Sequence, residues 1–184
     1  AAEVFYDNEK FSRKGAAPNR VVQTLFGKHA VQTLDGKEHH HRKALFMSMM
    51  SEDSVGNLIE LTKLHWEISL DKWSQIDQII LYDEVKELLC KVAFKWIGYP
   101  IHEQDVQKMT KELAAMFETP AAIGPTHWLG RNARNQLEKN IQEVIQRIRK
   151  KEVQVNPDTI LYQFAFHQDL EGNLLDLETA AVEV

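Results

Sequence analysis

Only one cysteine, Cys90, stands among the 184 residues, so an internal disulfide is excluded and a reducing, cytoplasmic setting is expected. No stretch approaches the roughly 20 apolar residues that a bilayer span needs, so no membrane span is expected. The acidic, amphipathic start A-A-E-V-F-Y-D-N-E-K lacks the basic region and apolar core of a secretion signal. Glycine is sparse, with eight residues, and none falls in a P-loop or dinucleotide-binding spacing. Positive charge is not in excess: 22 Lys and Arg against 27 Asp and Glu leave a net −5, which speaks against nucleic acid as a partner. What is there is an ordinary globular balance, 43% hydrophobic and 27% charged, which excludes a disordered chain. There is no initiator Met, and the sequence stops in mid-pattern at A-A-V-E-V, so it reads as a piece of a longer chain.

The apolar periodicity is helical almost throughout. Val4 and Phe5 suit a short amphipathic helix over residues 1–9, and Lys14 to Pro18 is a loop. Val21 to Phe26 is a short apolar segment closed by Gly27, and Ala30 to Leu34 is extended or irregular. A long helix is predicted from Asp53 to about Ser74, with Val55, Leu58, Thr62, Trp66, Leu70 and Trp73 at threes and fours and a second stripe at Leu61, Leu64 and Ile68. Asp83 caps a helix to Ile97 that Gly98 and Pro100 stop, with Val85, Leu88, Leu89, Val92 and Trp96 inward. Glu103 to Glu118 is amphipathic through Val106, Met109, Leu113, Met116 and Phe117. After a loop of small residues, Arg131 to Lys150 turns Ala133, Leu137, Ile141, Val144 and Ile148 inward and its many charges outward. An apolar helix near Ile160 to Phe166, a turn at Asp169 to Asn173 and a last helix from Asp176 complete an all-α chain of six to eight helices. The four tryptophans are core residues by default.

One stretch breaks a local rule. In D-G-K-E-H-H-H-R-K-A-L-F, Asp35 is a good N-cap and Glu38 can close a capping box, yet three histidines and two cations fill the first two turns. A helix N-terminus carries partial positive charge and favours acids there, so this crowding conflicts with the dipole. His39 and Lys43 are four apart and share a face, with Arg42 at its edge. Either the face is simply solvated or it binds an anion, for which Arg13 and Lys14 are further suited. Zinc is a poor reading of the histidine run, because adjacent helical positions point about 100° apart. His102-Glu103 fails the metalloprotease motif, since Val stands at position 106. Cys90, in E-L-L-C-K-V-A-F, is a small core hydrophobe rather than a nucleophile.

The runs V-F-Y-D-N-E-K-F-S-R-K-G-A-A-P, T-L-F-G-K-H-A-V-Q-T-L-D-G-K-E-H-H-H-R-K-A-L-F and G-P-T-H-W-L-G-R-N-A-R together resemble the fatty-acid peroxygenase branch of the cytochrome P-450 haem-thiolate enzymes. E-L-L-C-K-V-A-F-K-W-I-G and A-F-H-Q-D-L-E-G-N-L-L-D fit the same branch, so the resemblance covers essentially the whole chain, 1–184. It implies a single partial haem-thiolate domain, from about helix B to the start of helix I, with Asp35 to Met50 as helix C. The implied cofactor is haem b. His39 and Lys43 match basic residues against the haem edge, and Arg13 matches a residue that pairs with a propionate. Gln32 matches a distal polar residue near peroxide and the substrate head group, and Phe26 an aromatic residue of the fatty-acid channel. The implied reaction is hydroxylation of a long-chain fatty acid at the α or β carbon, driven by hydrogen peroxide without a redox partner. In such enzymes the substrate carboxylate, held by an Arg of helix I, serves as the acid–base group.

That Arg is expected just beyond Val184 and the iron-ligating Cys far downstream. Cys90 corresponds to a helix cysteine instead, so this chain alone is expected to be inactive. Pro120 stands where relatives tend to carry an aromatic residue, which leaves chain-length preference and α versus β selectivity open. The competing reading is a self-contained α-helical module whose basic face binds an acidic partner. The enzyme reading expects apolar faces left exposed on this chain; the module expects a closed core.

Overall fold

Helix starts follow the capping chemistry of the sequence where a short polar side chain is free to turn back. Ser51 accepts from the amide of Ser54 at 3.2 Å, and Asp176 accepts from the amide of Thr179 at 2.8 Å. The computed structural model describes Val4 and residues 10–184; the helix expected over residues 1–9 lies outside the described residues apart from Val4. The helices are α1 (Asn19–Val21), α2 (Gly36–Ser48), α3 (Glu52–Trp73), α4 (Leu81–Ile97), α5 (Glu103–Glu118), α6 (Pro125–Arg149), α7 (Ile160–Phe166) and α8 (Leu177–Glu183). A π turn, Val22–Phe26, continues α1, and a 3₁₀ turn, Val31–Thr33, lies between extended Ala30 and Leu34 in the segment expected to be extended or irregular. One antiparallel bridge, Gln168 to Leu174, closes the turn that Asp169 organises by accepting from the amides of Glu171 and Asn173. The all-α expectation holds.

α6 is the axis of the core. Leu137, Ile141, Ile145 and Ile148 on it pack with Met109 and Met116 of α5, Cys90 and Phe94 of α4, Leu161 and Ala165 of α7, and Ala180 and Ala181 of α8. Fully burying one such side chain contributes about 1.5–3 kcal/mol, which fixes this row as the stable centre. A second cluster seats the C-terminal half of α2: Met49 with Ile160 and Phe164, flanked by Leu45, Phe46, Trp96 and Ile97. α4 ends in a left-handed Gly98 (φ 81°), where the amide of Tyr99 reaches back to the carbonyl of Phe94 at 2.9 Å.

Several faces differ from expectation, each for a packing reason. α3 packs closely against α4 alone, so only the Leu58–Leu61–Thr62–His65 side is covered, while Val55, Leu64, Trp66, Ile68 and Leu70 are exposed. Leu89 on α4 and Phe117 on α5 likewise face outward rather than inward. α4 begins at Leu81 with Ile80 at the cap position, so Asp83 lies in its first turn and does not cap it. α6 begins at Pro125, not near Arg131, because Pro supplies the fixed φ of a first helical residue. That extra turn carries Trp128, which is exposed rather than core.

Candidate functional site

α2 has few apolar residues of its own and is held by what surrounds it. Its cap is not the box that the spacing predicts. Asp35 sits at the N-cap in extended conformation, but its carboxylate makes no bond to the first turn. It accepts instead from Ser12 Oγ at 2.6 Å and from the amides of Arg13 and Lys14 at 2.9 and 3.2 Å, and it lies 3.6 Å from the Arg13 guanidinium. Three converging donors in the loop outcompete helical amides that water can satisfy. The effect is to tie the loop bearing Arg13 to the head of α2. The hydroxyl of Ser12 and then the amide of Arg13 hold the Asp35 carboxyl down to about 2. Because this folded value is depressed, the joint is intact above the ordinary value of 3.8 and is lost as pH falls through about 2. An NMR titration is expected to show Asp35 still ionised where other carboxyls have protonated, and Ser12→Ala to move its midpoint upward; an ordinary midpoint in the wild type contradicts this joint.

Glu38 turns to Arg42, 3.5 Å away, instead of closing the capping box. Arg42, read from spacing as the edge of a cationic face, is buried and pairs with Glu183 of α8 at 2.9 Å while donating to the carbonyl of His29. The Glu38–Arg42 spacing was the only sequence signal of that role, and its long-range partner left none. The three histidines separate. His40 is exposed. His41 stacks on His167 with ring centroids 4.9 Å apart and hydrogen-bonds through Nε2 to the carbonyl of Gln168. His39 is buried at 7% exposure, and its Nδ1 has no hydrogen-bond partner.

His39 is also the electrostatic focus of the site. Burial lowers its pKa, and the positive charges of Arg13, His40 and Lys43 lower it further against a weaker opposing pull from Asp35. Arg13 and Lys43 are themselves exposed, and no ion pair among the described residues engages Lys43. A buried ring nitrogen without a partner, beside cations that disfavour its own protonation, is complementary to a bound carboxylate. An anion there would give Nδ1 a partner and pull the His39 pKa back upward.

Phe26 is half-buried at the end of the π turn, and Gln32 is exposed in the 3₁₀ turn. The charges of Arg13 and Lys43 thus both bear on His39, while Phe26 and Gln32 lie on the segment leading into α2. Among the described residues no group of three or more His, Cys, Asp or Glu is placed to hold a metal ion. Cys90 is in the core and burial pushes its thiol up, the opposite of a ligating thiolate. No helix is long and apolar enough to cross a membrane among the described residues.

No family model matches the chain. Solved structures do. Cytochrome P450EX alpha (CYP152N1), solved with myristic acid, is 42% identical over 99% of this chain and 44% of its own, with a TM-score of 0.91. Cytochrome P450SP alpha (CYP152B1), solved with (R)-ibuprofen, is 34% identical over 98% of this chain and 44% of its own, with a TM-score of 0.93. Ligand-free cytochrome P-450 OleT is 34% identical over 99% of this chain and 44% of its own, with a TM-score of 0.94. A variant of OleT was solved in complex with arachidonic acid. The chain therefore spans a little under half the length of these relatives.

Proposed function

Because this chain belongs to the CYP152 fatty-acid peroxygenase family of the cytochromes P-450, we propose that it carries the haem edge of an enzyme that hydroxylates long-chain fatty acids at the α or β carbon with hydrogen peroxide. The observation that carries this reading is the cluster of Arg13, His39 and Lys43, with the partnerless Nδ1 of a buried His39 at its centre. Those residues fit the two carboxylates of a haem: Arg13 and Lys43 supply charge, and His39 supplies a directed N–H to a propionate oxygen. Bound haem supplies the oxygen-transfer chemistry, with a cysteine other than Cys90 as the axial thiolate.

The chain's own part is positional. Asp35 holds Arg13 at the head of α2, the Arg42–Glu183 pair holds α2 to α8, and the Met49–Phe164 cluster holds its far end. Phe26 walls the fatty-acid channel and Gln32 stands near the substrate head group and peroxide. No redox partner is required. The exposed apolar side chains of α3, Val55, Leu64, Trp66, Ile68 and Leu70, favour this reading over a self-contained anion-binding module, which has no use for them.

The test is the product of the whole gene, supplied with myristate and either hydrogen peroxide or NADPH with a reductase. The reading expects 2- or 3-hydroxymyristate with peroxide and no gain from NADPH. Turnover only with NADPH and reductase contradicts the peroxygenase assignment. Binding of an acidic protein without any hydroxylation favours the module.

A further inference from the structure

The G-R-N-A-R segment of α6, Gly130 to Arg134, has no place in the haem edge, yet it makes the densest set of long-range polar contacts on that helix. The reason lies in the π turn. Gly27, at φ 86°, turns the chain away, and its amide closes the turn on the carbonyl of Val22 at 2.9 Å. The carbonyls of Gln23, Leu25 and Phe26 are then left pointing past the end of the turn, where an ordinary helix leaves its terminal acceptors without amides. Arg131 Nη1 donates to the carbonyl of Gln23. Arg134 donates to the carbonyl of Phe26 at 2.7 Å and to that of Leu25 at 3.4 Å. Two cations thus meet the negative end of the turn.

The fit is close on every side. A Cβ on Gly27 would lie 2.5 Å from Arg134 Nη2, and one on Gly130 would lie 2.0 Å from Thr119 Oγ1 and 3.1 Å from Thr24 Cγ2. Gly130 lets α6 close against the end of α5 with Thr24 of the turn, itself fully buried, packed beside it, and Gly27 is required by its positive φ and by the guanidinium of Arg134. Arg134 is itself buried, its Nε pairs with Glu138, and its Nη2 also reaches the carbonyl of Val182 on α8 at 3.3 Å. One guanidinium joins the π turn, α6 and α8.

We propose that Arg134, supported by Arg131, is a positioning residue for Phe26: it fixes the backbone of the channel-wall residue at that residue's own carbonyl, and so sets where along the fatty acid the reaction occurs. The inference rests on the functional reading above for the role of Phe26. Lysine cannot replace the arginine, because an ammonium on a flexible stem lacks the planar fork that spans Leu25, Phe26 and Val182 together.

The experiment compares Arg134→Lys, Phe26→Ala and the double variant of the haem-loaded enzyme, with Arg149→Lys as control, since Arg149 donates to the remote carbonyls of Ala165 and Leu175. Hydrogen exchange at the Gly27 amide is expected to quicken about tenfold in Arg134→Lys, the equivalent of one net hydrogen bond, and to stay unchanged in Arg149→Lys. The ratio of α to β product is expected to shift in Arg134→Lys, and the same substitution to add nothing on the Phe26→Ala background. Unchanged Gly27 exchange, or a full additional shift on Phe26→Ala, overturns the proposal. Should Arg134→Lys not fold, Arg131→Lys takes its place with a smaller change of the same sign, and no change there overturns it equally. If the wild type hydroxylates no fatty acid at all, the functional reading has failed, and the exchange at Gly27 alone decides whether the clamp exists.

Discussion

Arg42→Met is expected to destabilise the protein by about 3–5 kcal/mol at neutral pH, because it leaves one partner of a buried ion pair alone. Methionine fills much of the space of the arginine stem, so the loss is electrostatic rather than a cavity. Glu183 keeps a side chain only 1% exposed, and it loses the guanidinium 2.9 Å away. The carbonyl of His29 loses its donor in the same step. The pH dependence follows from the direction of the Glu183 shift. Burial pushes its carboxyl above the ordinary value of 4.5, although Arg42 and the amide of Val31 pull it back. A folded-state value that is raised costs stability as pH rises from the unfolded value through the folded one. Removing Arg42 raises it further, so the deficit of the variant is largest at neutral pH and shrinks once Glu183 is protonated below 4.5. Urea denaturation at the two pH extremes measures this, and Arg42→Met with Glu183→Gln is expected to recover most of the loss. An equal deficit at both pH extremes contradicts the buried-charge account.

Phe164→Ala is the second large effect, about 3–5 kcal/mol. Phe164 is fully buried, its ring centroid 4.9 Å from that of Phe46 and 6.4 Å from that of His167. α7 has seven residues, too few to persist without tertiary packing, and Phe164 with Leu161 supplies that packing. The cavity left by the ring opens beneath Phe46 and Met49, which form the apolar end of α2. The His39 imidazole resonances are therefore expected to move, although residue 164 lies far along the chain. Phe166, 36% exposed on the same helix with its ring 4.7 Å from that of Tyr162, is the comparison: its replacement by Ala is expected to cost about 1 kcal/mol, well below the loss at Phe164. Equal losses at the two positions contradict the seat assigned to Phe164.

The helix layout is largely legible in the sequence; the covered faces and the long-range partners are not. Helices α3, α5, α7 and α8 lie where period and caps put them, because Ser51, Asp176 and the apolar rows act locally. The faces were less legible. Trp66, Leu89, Phe117 and Trp128 are apolar at helical spacing, yet spacing says that a stripe exists and not that a neighbour covers it. The site divided the same way. The conflict between cations and helix dipole singled out Asp35–Phe46, and within it the structure buries His39 and Arg42 while leaving Lys43 exposed. Arg42 was misjudged as surface charge because its partner lies 141 residues away. Arg134 was read as part of a solvated face for the same reason: its acceptors are main-chain carbonyls, which leave no mark in a sequence. Asp35 lost its capping role to a loop whose amides converge only once the chain is folded.

Arg13, His39 and Lys43 are proposed to receive the two carboxylates of a haem. The most direct measurement is a binding titration of the whole-gene product with haem and with haem whose propionates are esterified, in the wild type and in Arg13→Leu with Lys43→Leu. Charge-assisted contacts each contribute about 1.5–3 kcal/mol, so the wild type is expected to prefer haem over the diester by roughly a hundredfold or more. The double variant is expected to lose most of that preference while still binding the diester as the wild type does. A preference for haem that survives unchanged in the double variant contradicts the claim.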